Sequence, residues 1–282
     1  MKKMIIMLII FIGSIQANLS RINVLMVGDY IDDPVNIEIF PQHLVIFQNY
    51  LYGDILKGTE DYGIIIAPEA KYGCMGIKQN GIISLGYGIN LHKFDIGILG
   101  SWIEGHRHFG LGLGRVFFAS RVDISFIVNN EKYLNEGYGS NFRFLLRKGD
   151  YILIPRYSFY NSSEMYDYIS NRIGMMLQRY ILNEGFVFFL FEYTLNNGEI
   201  KTDFIRVFSG LELPLNKTFV LRLGTEGEFD QDFVSIQKKL ETGLGLHIRE
   251  FNIDFHLNKE RFFNKELTFF NSLGLDLNFG KF

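Results

Sequence analysis

The sequence predicts an all-β fold, an antiparallel up-and-down transmembrane β-barrel of about 14 strands, with 12 as the alternative, behind an N-terminal plug-like segment. Three observations carry this. The composition is strand-forming, with 28 Phe, 15 Tyr and 29 Gly against five Pro and one Trp, because aromatic side chains suit a pleated surface. Apolar and polar residues alternate with period two over stretches of about 10 to 16 residues, longer than the soluble-strand norm of about 5 to 6. Beyond the first 17 residues no apolar run approaches the roughly 20 residues of a membrane helix.

Taken in order, residues 1–17 read as a signal peptide. Lys2-Lys3 is a positive head, Met4 to Ile12 an unbroken apolar run, and Ile15-Gln16-Ala17 a cleavage site. Nine apolar residues are too few to span a bilayer. Export implies an outer-membrane location, with lipids and the barrel-assembly machinery as partners. Loss of Lys2 and Lys3 takes the net charge from -3 to -5, so nucleic acid is not expected as a partner. The single Cys74 excludes a disulfide framework and multi-cysteine metal sites, and its Tyr72-Gly73-Cys74-Met75-Gly76 setting lacks a nucleophile elbow.

Residues 61–282 read as the barrel. Val122, Ile124, Phe126 and Val128 oppose Arg121, Asp123 and Ser125. Ile205, Val207, Leu211 and Leu213 oppose Arg206 and Glu212, and Phe219, Leu221 and Leu223 oppose Arg222, Glu226 and Glu228. In the next strand Ile236, Leu240, Leu244, Leu246 and Ile248 oppose Gln237, Lys239, Glu241, His247 and Arg249, and Phe251, Ile253, Phe255 and Leu257 oppose Asp254 and His256. Tight turns fall at 90–93, 119–120, 148–150, 183–185, 214–216 and 249–250, as periplasmic turns do. Longer polar connections fall at 73–80, 104–106, 129–137, 161–166, 196–198, 230–232 and 259–265. Counted from Tyr62 this makes 14 strands, an even number that returns the chain to its starting side.

Leu273, Leu275, Leu277 and Phe279 precede a terminal Phe282, which resembles the assembly signal of bacterial outer-membrane barrels, one residue out of phase. Residues 18–60, with Asp33-Pro34, Asn36 and Pro41, resemble the N-terminal segment of the fatty-acid-transporter and PorV-like outer-membrane family. There an Asp-Pro and an Asn-Pro-Ala element precede a 14-stranded barrel, and the latter element is replaced here by Phe40-Pro41-Gln42. The resemblance implies that the segment plugs the lumen; a periplasmic extension or an extra strand is the plainer reading.

Other motifs have structural readings. Gly110, Gly112 and Gly114 alternate with Phe109, Leu111 and Leu113 and read as a strand with one small face, since no Gly-Lys-Ser/Thr follows. His106-Arg107-His108 reads as a solvated tip rather than a metal site. His247, His256 and Ser272 could serve a membrane-embedded acyl hydrolase, but the histidines fall on the polar face and no nucleophile motif is present. The chain therefore reads as no enzyme, with no cofactor. The inward charges Arg206, Glu212, Arg222, Glu226, Glu228, Lys239, Glu241, His247, Arg249, Asp254 and His256 read as a lumen lining, since buried charges must pair or be hydrated. A passive channel for small solutes, apolar ones among them, is the first functional expectation, and a non-transporting scaffold or secretion-partner platform the second. Mass spectrometry of the mature protein should find Asn18 at its N-terminus; an intact Met1 would refute the leader.

Overall fold

A computed structural model describes residues 19–56, 60–103, 106–131, 136–162, 168–181, 185–198, 202–264 and 266–279. The leader and Phe282 lie outside the described residues. A short helix α1 (Leu19–Leu25) leads into three 3-10 turns at Gly28–Tyr30, Pro34–Glu38 and Pro41–Val45. Strands β1 (Tyr50–Leu56), β2 (Glu60–Ile66), β3 (Cys74–Asn80) and β4 (Ile82–Leu91) follow. Next come β5 (Phe94–Ile103), β6 (His106–Phe117), β7 (Ser120–Glu131), β8 (Gly137–Lys148), β9 (Tyr151–Ser162) and β10 (Tyr168–Tyr180). The wall ends with β11 (Phe186–Gly198), β12 (Thr202–Pro214), β13 (Phe219–Phe229), β14 (Ser235–Ile248), β15 (Phe251–Leu257) and β16 (Phe270–Asn278).

Each strand from β2 to β16 pairs antiparallel with the next, and β1 pairs with β16 from Tyr50 opposite Asn278 to Leu56 opposite Ser272. The Tyr52 ring of β1 lies against Gly63 of β2, which closes the barrel and leaves no free edge for lipid to meet.

The count is therefore 16 strands among the described residues, not 14 or 12. Two of them were missed. β1 lies inside the stretch assigned to the N-terminal segment, and β3 occupies residues read as a loop at 73–80. Each has seven residues, too few for the alternation to stand out. β3 also carries the inward Lys78 and Gly76 where an apolar stripe was sought. The even count keeps the start of β1 and the end of β16 at one end of the barrel.

That end has the tight turns. Two-residue turns join β4 to β5, β6 to β7, β8 to β9 and β14 to β15, and His92, Phe118, Gly149 and Arg249 take φ between 54° and 63° in them. Left-handed turns match the twist of the paired strands. Only one of the four uses glycine, so the usual turn signal was weak. Arg115 over Phe94, Arg147 over Tyr180 and Arg179 over Tyr151 form an aromatic and basic rim near the same end, the amphipathic pairing that membrane interfaces favour.

Across the wall the faces differ in kind. On β7, Ile124 and Phe126 are exposed while Asp123 and Ser125 are buried; on β8 and β9 the charged Arg143 and Arg156 point inward. An apolar exterior around a charged interior is the arrangement of a lipid-embedded barrel, and the chain is an outer-membrane β-barrel protein. Leu244→Arg should cost about 2 to 4 kcal/mol of folding in lipid, and Gln237→Arg on the same strand little. Equal losses of heat-modifiable folded protein from both would contradict the face assignment.

Candidate functional site: the inner segment and its cavities

Residues 19–47 lie against the inner wall. Their partners ring the barrel: Lys78 of β3, Asp123 of β7, Arg143 of β8, Arg156 of β9, Gly174 of β10, Glu192 of β11, Glu212 of β12, Gly224 of β13, Asp54 of β1 and Ser272 of β16. Only a chain within the ring reaches all of these.

The local structure follows from the sequence. Asp33 is extended and accepts from Val35 N at 3.1 Å, while Pro34 opens the 3-10 turn, the roles those residues suit. Asn36 Nδ2 donates to Gly28 O at 3.3 Å and Ile31 O at 3.1 Å, tying two turns together. Pro41 and Gln42 sit on glycine: a side chain at Gly97 or Gly112 would collide with their backbone or with the Gln42 amide. Leu44 fills the furrow over Gly76, Gly86 and Gly88. Apolar contacts complete the seat, with Leu25, Val27, Tyr30 and Ile31 against Ile154, Met176, Phe188, Leu190 and Phe208, and Ile37 and Leu44 against Tyr52, Ile65, Cys74 and Leu99. Each fully buried Leu contributes about 1.5 to 3 kcal/mol.

At the centre of this seat is Arg143, with 0% of its side chain exposed. Its Nη1 donates to Asp29 O and Tyr30 O at 3.3 and 3.2 Å. Its Nη2 meets Asp32 Oδ1 at 2.5 Å, Asp123 Oδ2 at 2.7 Å and His43 Nε2 at 2.9 Å. The same His43 nitrogen lies 3.3 Å from Asp123 Oδ2; burial holds the His43 pKa below the usual value, against the hydrogen bond to Asp123 and with the Arg143 charge acting the same way as burial. Asp32, His43 and Asp123 have metal-ligand spacing, and Arg143 supplies the positive charge at their centre.

On the other side of the lumen α1 lies between two cavities. One, of about 510 Å³, is lined by Arg172, Glu192, Arg206, Glu226, Lys239, Glu241 and His256 of the wall together with Ile22, Met26 and Tyr30. These wall residues lie toward the loop end of their strands. The other, of about 170 Å³, is lined by Arg21, Asp33, Tyr50, Glu212, Arg222, His247, Asp254 and Asp276, and its wall residues lie toward the turn end. Arg21 binds Glu212 through Nε at 2.9 Å and Nη2 at 3.1 Å, and Arg222 Nε binds the same carboxylate at 2.6 Å and also pairs with Asp254. Ser20 Oγ donates to Asp54 at 2.6 Å and accepts from Ser272 Oγ at 2.7 Å. Behind α1 the chain turns through Met26 at φ 56° and Gly28 at φ 53°.

Most of the inward charges read from the sequence thus line one cavity or the other. Glu228 joins them by binding Arg206 Nε at 2.7 Å. Arg249 does not; it stands exposed in the β14–β15 turn. Pro34, Asn36 and Pro41 shape the inner segment. His256 and Ser272 are register partners, but His256 Nε2 faces Glu241 at 2.9 Å and Ser272 is bonded to Ser20. His247 lines the other cavity, so the three do not converge. Sequence reading missed Arg21, Asp32, His43, Arg143, Arg156 and Glu192, whose partners are more than 100 residues away in most cases. The signal available was the inward phase of Arg143 between Phe142 and Phe144.

No protein-family model matches the chain, and no curated relative matches it. Among solved structures, OmpT, an outer membrane protein of Vibrio cholerae, gives a TM-score of 0.50 at 8% identity over 81% of this chain and 94% of that one. An anion-selective porin from Comamonas acidovorans gives 0.46 at 10% identity over 78% and 77%, and CdiB from Acinetobacter baumannii 0.45 at 9% over 81% and 58%. At such identity the likeness to OmpT is one of fold, that of an outer-membrane β-barrel. The expectation that the chain is no enzyme is corrected by it: a barrel fold shared with OmpT carries no exclusion of catalysis, since one fold hosts many activities.

Two outcomes follow. Arg143→Met strands the Asp123 carboxylate and should cost about 3 to 5 kcal/mol, read as loss of folded barrel in urea titration, with residues 19–47 becoming protease-sensitive first. The second concerns Asp33, whose carboxyl burial pushes up to about 7 from 3.8, against the opposing Arg21 at 4.0 Å. A raised acid pKa means that the folded chain holds a proton the unfolded chain releases, so this contribution is complete at low pH and lost as pH rises through about 7. Hydrogen-exchange protection of residues 20–38, corrected for intrinsic rate, should fall from pH 6 to pH 8, and Asp33→Asn should flatten that change.

Proposed function

We propose that this protein is a passive outer-membrane channel for small polar solutes, with residues 19–47 as its plug and α1 as the movable part of that plug. The observation that carries the reading is the pair of charged cavities, one in each half of the barrel, with α1 and its Arg21–Glu212 contact between them. Polar rather than apolar solutes are favoured because the passage side is lined by charges that hydrate. The joint between the two parts supports α1 as the mover: α1 is seated on Gly224 and Gly243 and tied by Ser20 and Arg21, and it meets residues 28–47 through a turn with two left-handed residues.

A second reading, the non-transporting platform for a secretion partner that the PorV-like resemblance implies, is favoured by that same tight seating. One experiment separates the two. Ser20→Cys with Ser272→Cys places two thiols where hydroxyl oxygens lie 2.7 Å apart, within reach of a disulfide, and the native Cys74 is buried. In reconstituted bilayers the oxidised form should lose conductance and dithiothreitol should restore it. Equal currents in both forms exclude α1 as the gate, and no current in either, or in the unmodified chain, favours the platform.

A further inference from the structure

The loop-end cavity offers its two kinds of charge unequally. Its carboxylates are used up. Glu192 has Arg172 at 3.5 Å, Arg206 at 3.8 Å and Arg156 at 3.9 Å and accepts from Tyr30 Oη at 3.2 Å. Glu226 is held by Lys239 at 2.9 Å and Arg206 at 3.7 Å. Glu241 has His256 at 2.9 Å and Lys259 at 3.4 Å. Glu192 is accordingly only 4% exposed. Two of the cations are not used up. Among the described residues Arg172 has Glu192 as its one ion-pair partner, reached through Nε at 3.5 Å, and its side chain is 38% exposed. Lys239 is 40% exposed and among the described residues makes one hydrogen bond, to Glu226.

Arginine carries five N–H groups and lysine three, and neither accepts a hydrogen bond. What remains for a guest is therefore a set of positively charged donors on β10 and β14, above an apolar floor of Ile22, Met26 and Phe208. The complementary chemistry is an oxygen anion, which takes several charge-assisted hydrogen bonds at once. A guest cation would meet carboxylates that are already paired, and would have to break those pairs to bind.

We infer that the loop-end cavity is a binding site for a solute bearing an oxyanion, carboxylate or phosphate, held by Arg172 and Lys239. The inference rests on the channel reading, whose solute class it names, but binding can be measured without any current. The full chain, folded in detergent, is titrated against inorganic phosphate by ³¹P line broadening and against acetate by equilibrium dialysis. Saturable binding of either is expected, and which of the two binds more tightly tells a tetrahedral from a planar preference. Arg172→Gln with Lys239→Gln should weaken binding about tenfold or more, as loss of charge-assisted hydrogen bonds does. The single variants should show intermediate losses, which keeps the test intact if the double variant does not fold. Arg179→Gln, at the turn end, should change nothing. Absence of saturable binding of both anions to the unmodified chain, or undiminished binding to the folded variants, overturns the inference. Retained binding in a chain that passes no current would overturn the channel and leave the anion site standing.

Discussion

A buried guanidinium is tolerable only if its charge is answered, and the two terminal nitrogens of Arg143 are answered from both sides of a boundary. The wall supplies Asp123, and the inner segment supplies Asp32, His43 and two backbone carbonyls. Removing either side leaves charge stranded in a place from which water is excluded, and such stranding costs far more than the intact group contributes. The wall and the segment are therefore one structure. The glycine furrow, the seating of Leu44 and the stacking of Phe40 on His43 at 5.2 Å all presuppose the position that this group fixes.

The lumen is divided accordingly. From β3 to β9 the inner face is mated to the segment through glycine, aliphatic side chains and a closed polar group. From β10 to β16 apolar contacts of Met176, Phe188, Leu190 and Phe208 with the segment stand beside charges that pair along the wall, Arg206 with Glu228 and Lys239 with Glu226, and leave room beside α1. Charge thus plays two roles in one barrel: on one side it binds the filling, and on the other it keeps an unfilled space hydrated.

The fold class was legible because a barrel in lipid has to alternate, and strands such as β7 and β14 do so over their full length. β1 and β3 escaped because seven residues hold too few repeats, and because β3 turns glycine and lysine inward where the segment presses close. The charges of β12 to β15 were legible from phase alone. The Arg143 group was not, since Asp32, His43, Asp123 and Arg143 come together only through contacts up to 111 residues apart, and no local pattern records such a meeting. The glycines of β6 were a trace of it: a small inner face implies that something approaches, without saying what.

The pairing of β1 with β16 also bears on how the molecule comes to exist. Tyr50 meets Asn278, so the seam joins residues separated by almost the whole barrel, and the entropy of bringing such distant residues together amounts to about 5 kcal/mol for a flexible chain. Contacts of that range make for slow folding. Since the inner segment is continuous with β1 and touches strands on every side, one length of chain both closes the ring at its seam and occupies its interior.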